Sequence, residues 1–179
     1  MYGIVLYLFG WRILKEVFFP ISTLIFAIPV PAQIYAYLTV PLQLLVSLVG
    51  TAFAAFLNIP ILREGNIIHI PERTFQVADA CSGLRSLVSI MALSTIIGHF
   101  LLRSIPRQLI LFLSAVPVAI AANIFRVYML IVVFYYFHID LAHGAAHTVL
   151  GSVIYLIAII GIIVIAGVLS RWNSPVRAG

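Results

Sequence analysis

The stretch VADACSGLRSL, residues 77–87, gathers a thiol, a carboxylate, a hydroxyl and a guanidinium in a chain that otherwise avoids polarity: Cys81, Asp79, Ser82 and Arg85. Either Asp79 or Ser82 can cap a helix beginning near residue 82, which puts the thiol at a helix N-terminus. Helix N-termini and neighbouring cations favour the thiolate, the nucleophilic form of cysteine. Arg85 follows four residues after Cys81 and shares its helical face. A lone cysteine in a membrane helix is more often a small buried hydrophobe, but the polarity around Cys81 argues for chemistry. Cys81 is the only cysteine, so an intramolecular disulfide is excluded.

Other polar residues fall where polarity is costly. Arg126 and Asn123 stand three residues apart on one face, and Arg126 is the only charged residue between 108 and 137. Arginine cannot shed its charge by losing a proton, so Arg126 either snorkels to the interface or faces a wet or anionic cavity, where it would bind a carboxylate or an oxyanion. His143 and His147 are spaced as a helical metal-binding pair, which would need a third ligand such as Asp140 or Asp79; a general acid–base role suits them equally. His99 lies eighteen residues beyond Cys81, roughly 27 Å along a helix axis, and belongs to the opposite membrane surface. His69 in a loop and His138 at a segment end read as surface residues. Asp79 and Asp140 each either orient a partner or cap a helix in solvent.

The elements that must position these groups are membrane helices. Hydrophobic residues make up 64% of the 179 and charged residues 8%, more apolar surface than a soluble domain of this length can bury. The formal charge of +5 is scattered over the chain with no basic tract, which argues for a topology signal and against a nucleic-acid partner. A crossing takes about 20 apolar residues. Candidates are 36–58, 83–102, 108–122 with a continuation to 137, and 148–169. The first 35 residues supply one or two more, with a kink or turn at IPVP, and no clear cleavable signal. The expected fold is an all-α polytopic helical bundle of about five or six crossings, a single domain over 1–179.

Arg103 and Arg107 in one short loop and Arg171 and Arg177 in the tail have no neighbouring acid, whereas loop 59–80 is slightly acidic. The positive-inside tendency places the arginine loop and tail in the cytoplasm and loop 59–80 outside. Within that loop, ILREGNIIHI predicts a small hairpin turning at Gly65-Asn66, over the outer surface and leading into Cys81. This topology brings Cys81, Arg126, His143 and His147 to one side of the bilayer. A thiol, a proton shuttle and a fixed cation suffice for acyl transfer.

VADACSGLRSL, VPVAIAANIFRV and HTVLG, in that order, resemble the three signature blocks of the exosortase/archaeosortase family. FFPISTLIFAIPVP and PLQLL resemble its upstream segments, so the likeness runs from about residue 18 to 165. The resemblance implies a multi-pass cysteine transpeptidase of the prokaryotic cytoplasmic membrane, with its site near the extracytoplasmic face. Such enzymes process membrane-anchored substrates whose C-terminal signal combines a short motif (Pro-Glu-Pro type in bacteria), a hydrophobic helix and basic residues, and pass them to an acceptor nucleophile. It further implies that Cys81 is the nucleophile, Arg126 the catalytic arginine and His147 the catalytic histidine, with Gly151 following as the pattern requires. His143, Arg85, Asn123 and Asp79 are then auxiliary. The chain starts near the conserved core and resembles the short forms. The mechanism implied needs no cofactor or metal. Two other classes compete: a small transporter or channel subunit with a buried Arg/His path, and a metal- or haem-binding membrane subunit using His143 and His147.

Overall fold

A computed structural model of the chain describes residues 2–29, 31–71, 73–77, 83–139 and 144–171. It divides into two compact units, 1–31 and 32–179. The first contains α1 (Tyr2–Thr23) and a 3-10 turn (Leu24–Ala27). Gly10 breaks the helical path of α1 at φ +75°, a conformation open to glycine at little cost. Ile28 is extended, as the residue before Pro29 must be, so the expected interruption at IPVP is present. Arg12, Lys15 and Glu16 in the middle of α1 make it too polar by composition to count as a spanning helix.

Among the described residues the second unit has four long helices: α2 (Ala32–Ala55), α3 (Gly83–Leu101), α4 (Ile105–Phe137) and α5 (Gly144–Arg171). All four are long and apolar enough to cross a bilayer. The described residues thus contain four such helices where the sequence suggested five or six crossings, and the difference falls in the N-terminal unit. The stretch 108–122 does not end there: α4 runs unbroken through Pro117 to Phe137. Backbone groups freed by a proline inside a membrane helix can be satisfied by its neighbours.

Helices α3, α4 and α5 pack on one another, and α2 packs on α3 and α4. On α4 the buried residues Leu111, Ala115, Ala119, Asn123 and Val127 recur every four residues; on α5 the row is Ile154, Ala158, Ile162 and Ala166. Leu111, Ala115 and Ala119 of the first row and Ala158, Ile162 and Ala166 of the second belong to one core cluster, in which small alanines let the helix backbones approach. At one end Arg107 donates through Nη1 to the carbonyl of Leu169 at 3.5 Å, tying the start of α4 to the end of α5. That pairing makes α4 and α5 antiparallel.

The opposite end is capped by a sheet. Strands β1 (Leu62–Glu64), β2 (Ile67–Ile70) and β3 (Arg73–Gln76) pair antiparallel in the order β1-β2-β3. The hairpin turns at Gly65-Asn66 as the sequence predicts, with Gly65 at φ +64°. The third strand was not anticipated, because RTFQ is short and begins only two residues after Pro71. The turn is bound to α2: the Ser47 hydroxyl and Arg63 Nη1 donate to the Gly65 carbonyl at 3.0 and 2.9 Å. Ile68, Ile70 and Phe75 share a buried face and pack with Val127, Leu130, Ile131 and Phe134 of α4. At ~1.5 Å per residue the 33-residue α4 is about 50 Å long, beyond the ~30 Å apolar core of a bilayer. It is therefore longer than the hydrocarbon is thick, and the sheet packs on its last turns.

Helices α2 and α4 are in close contact at Gly50, where an added Cβ would lie 3.0 Å from Val127 Cγ1 and 3.7 Å from the Ile124 carbonyl. Gly50→Val should destabilise the protein by about 1–3 kcal/mol through overpacking, with partial relief from Val127→Ala. Thermal unfolding in detergent measures both; unchanged stability of the single variant would contradict this contact.

Candidate active site

Antiparallel packing sets the far part of α4 beside the first turns of α5 and the start of α3. Arg126 lies 21 residues past the start of α4, ~31 Å along its axis. His147 is on the first turn of α5, and Gly151 follows it by four residues on the same face. Arg126 Nη2 meets His147 Nε2 at 2.7 Å. A guanidinium can only donate, so Nε2 is the acceptor and the ring proton sits on Nδ1. In this hydrogen bond the imidazole is neutral.

Gly151 makes the approach possible. A Cβ there would lie 3.0 Å from Arg126 Nη2, 3.3 Å from Cζ and 3.5 Å from Nη1, so the guanidinium occupies the space a side chain would fill. The cation rests against the α5 backbone with an imidazole as its hydrogen-bond acceptor. Among the described residues no carboxylate pairs with it, the one ion pair being His69 with Glu64 at 3.5 Å. A half-buried positive charge with a neutral partner is electrostatically suited to an anion that forms beside it.

Asn123, one turn before Arg126, is 7% exposed. Both line a small cavity with Gly151, Ser86 and Ile90 of α3, and Tyr155 of α5. Three helices thus meet at the guanidinium. Of the expected site residues, the structure brings together Arg126, His147 and Asn123, with Gly151 between them. Cys81, Ser82 and Asp79 lie outside the described residues, as do His143 and Asp140; the described part of α3 begins at Gly83, two residues after Cys81. Arg85 is exposed on the first turn of α3 and is not among the residues lining the cavity.

The remaining histidines lie elsewhere. His99 is on the last turn of α3, at the end away from the sheet, edge-on to Phe100. His69 hydrogen-bonds Thr74 within the sheet at 3.0 Å. His138 is exposed and caps α4 in a left-handed conformation. Ser86 and Tyr155 were not anticipated. Their signal was faint but present: Tyr155 is four residues past Gly151 and eight past His147, on the same face of α5.

Because the end of a flexible side chain can move, Gly151→Ala should fold normally yet separate Arg126 from His147. The ¹⁵N resonances of the His147 ring report the loss of the bond to Nε2. Gly161→Ala, whose new Cβ would meet Val118 Cγ1 at 4.0 Å, should leave them unchanged. An unaltered His147 ring in Gly151→Ala would contradict the arrangement.

The family model described as Transmembrane exosortase (Exosortase_EpsH) matches residues 1–164. No curated protein and no solved structure matches the chain. With four membrane-length helices and a family match over most of its 179 residues, the chain belongs to the transmembrane exosortase family.

Proposed function

We propose that this exosortase-family protein is a membrane cysteine transpeptidase that cleaves C-terminal sorting tails of exported proteins and transfers them, through a thioester on Cys81, to an acceptor nucleophile. Family membership supports a transpeptidase or protease in the membrane. The observation that carries the residue assignment is the 2.7 Å contact between Arg126 and His147. A fixed cation and a proton carrier touch at the end of the bundle where α3 begins, close in sequence to the only thiol.

In this reading the substrate's hydrophobic helix enters laterally from the bilayer, which sets its scissile peptide at the outer boundary. The sulfur of Cys81 attacks the carbonyl carbon and its proton passes to His147. Arg126 donates to the oxyanion that develops. His147 then protonates the leaving amine as the C–N bond breaks, leaving a C–S thioester. The acceptor attacks that thioester with His147 now taking its proton.

One constraint links these steps. Nε2 of His147 cannot take up a proton while it accepts Nη2–H of Arg126. When Nη2 turns from the imidazole to the oxyanion, it frees the base at the moment charge appears. Asn123, Asp79, Arg85 and His143 are auxiliary in this scheme. The site opens to the extracytoplasmic side of a prokaryotic cytoplasmic membrane, under loop 59–80, and residues 1–179 act as one enzyme.

Mass spectrometry of a co-expressed, tailed substrate tests the proposal. Wild type should release the tail, and Cys81→Ala should leave it intact; processing by that variant would overturn the assignment. Arg126→Lys should lower the cleavage rate by about 10²–10³-fold, the usual effect of losing an oxyanion donor.

A further inference from the structure

The cavity beside Arg126 has about 20 Å³ of room. Roughly 10–15 Å³ suffices for one water, provided it finds two to four polar partners. Four lining residues carry polar side chains: Ser86 on α3, Asn123 and Arg126 on α4, and Tyr155 on α5. One of them has unmet hydrogen-bonding capacity: Arg126 Nε is buried and has no hydrogen-bond partner among the described residues. Asn123, one turn away, is more than nine-tenths buried and lines the same cavity. An Nε–H can only donate, and a carboxamide both donates and accepts, so a water between them can bond to both. A buried polar group left without a partner is rare and generally marks a water or ligand site.

We propose that the cavity holds one ordered water, which accepts from Arg126 Nε and bonds to the Asn123 carboxamide, and that Asn123 is thereby a positioning residue for the guanidinium. The hydroxyls of Ser86 and Tyr155 supply further partners on the neighbouring helices. The guanidinium is planar with its donors in a fixed fork. Holding Nε through the water and Nη2 on His147 sets the rotation of that plane. That is the resting orientation from which Nη2 turns to the developing oxyanion. The same water joins α3, α4 and α5 where they converge, beside the described start of α3. The positioning role rests on the reading of Arg126 as the oxyanion-stabilising group, while the water itself does not.

The test uses the full chain in lipid nanodiscs with guanidino-¹⁵N arginine, the Arg126 signal being identified by its loss in Arg126→Lys. Magnetisation transfer from water should reveal a long-lived water at Arg126 Nε–H. Asn123→Leu keeps the side-chain volume and removes the carboxamide. It should abolish that contact and slow tail cleavage by about 10²-fold, the scale of a small misplacement of a catalytic group. Its unfolding temperature should fall only modestly, because the side-chain volume is kept while the water loses one partner, and the folded fraction is checked before cleavage is compared. Asn123→Ser, which restores a hydrogen-bonding group, should recover part of both signals. A wild-type Nε–H without a water contact would overturn the proposal, as would Asn123→Leu with the contact intact. Loss of the contact at an unchanged cleavage rate would overturn the positioning role. Cleavage retained by Cys81→Ala would remove the catalytic reading while leaving the water contact in place, so the two fail separately.

Discussion

A guanidinium in a membrane bundle has to be satisfied without a proton to give up, and most of the architecture around Arg126 follows from that constraint. The charge is held between α4 and α5 by the neutral ring of His147 and by the space at Gly151. That placement requires the two helices to run close together over their length. Alanines at 115, 119, 158 and 166 permit the approach, and the bond from Arg107 to Leu169 fixes the far end. The overlong α4 carries Arg126 to the sheet end of the bundle. There β2 and β3 cover the apolar face that continues beyond it through Val127, Leu130 and Phe134.

The electrostatics are informative because of what sits opposite the charge. A carboxylate would quench Arg126 and make it a structural ion pair. The imidazole leaves the positive charge uncompensated by any described residue, and it can itself carry a proton in either direction. The two groups therefore hold each other in a resting state that a developing anion would disturb. Such a pair is suited to acyl transfer, which creates negative charge on oxygen and needs a proton moved in the same step.

Much of this was legible in the sequence, for physical reasons. Hydropathy marks membrane helices strongly, so α2, α3, α4 and α5 were all visible, and Gly65-Asn66 announced the hairpin. Charge placement and helix length together put Arg126 on one side of the bilayer with His143 and His147, and excluded His99. Other features were beyond its reach. Arg12, Lys15 and Glu16 blurred the number of crossings at the N-terminus, since composition alone does not say how a half-polar helix is used. The strand Arg73–Gln76 is stabilised by pairing with β2 and by packing of Phe75 on Phe134, contacts that no local pattern encodes. Ser86 and Tyr155 meet Arg126 only because three helices converge, a tertiary fact. The choice of His147 over His143 came from the HTVLG resemblance; spacing left them equal.

The central claim is that one thiol carries the acyl group while Arg126 and His147 manage charge and proton. Intact-mass and peptide-mapping spectrometry of the enzyme, quenched with acid during turnover of a tailed substrate, tests it most directly. The account predicts a hydroxylamine-labile adduct on the peptide containing Cys81, with the mass of the substrate minus its tail. Tail release with no such adduct, or with the adduct on another residue, would contradict it.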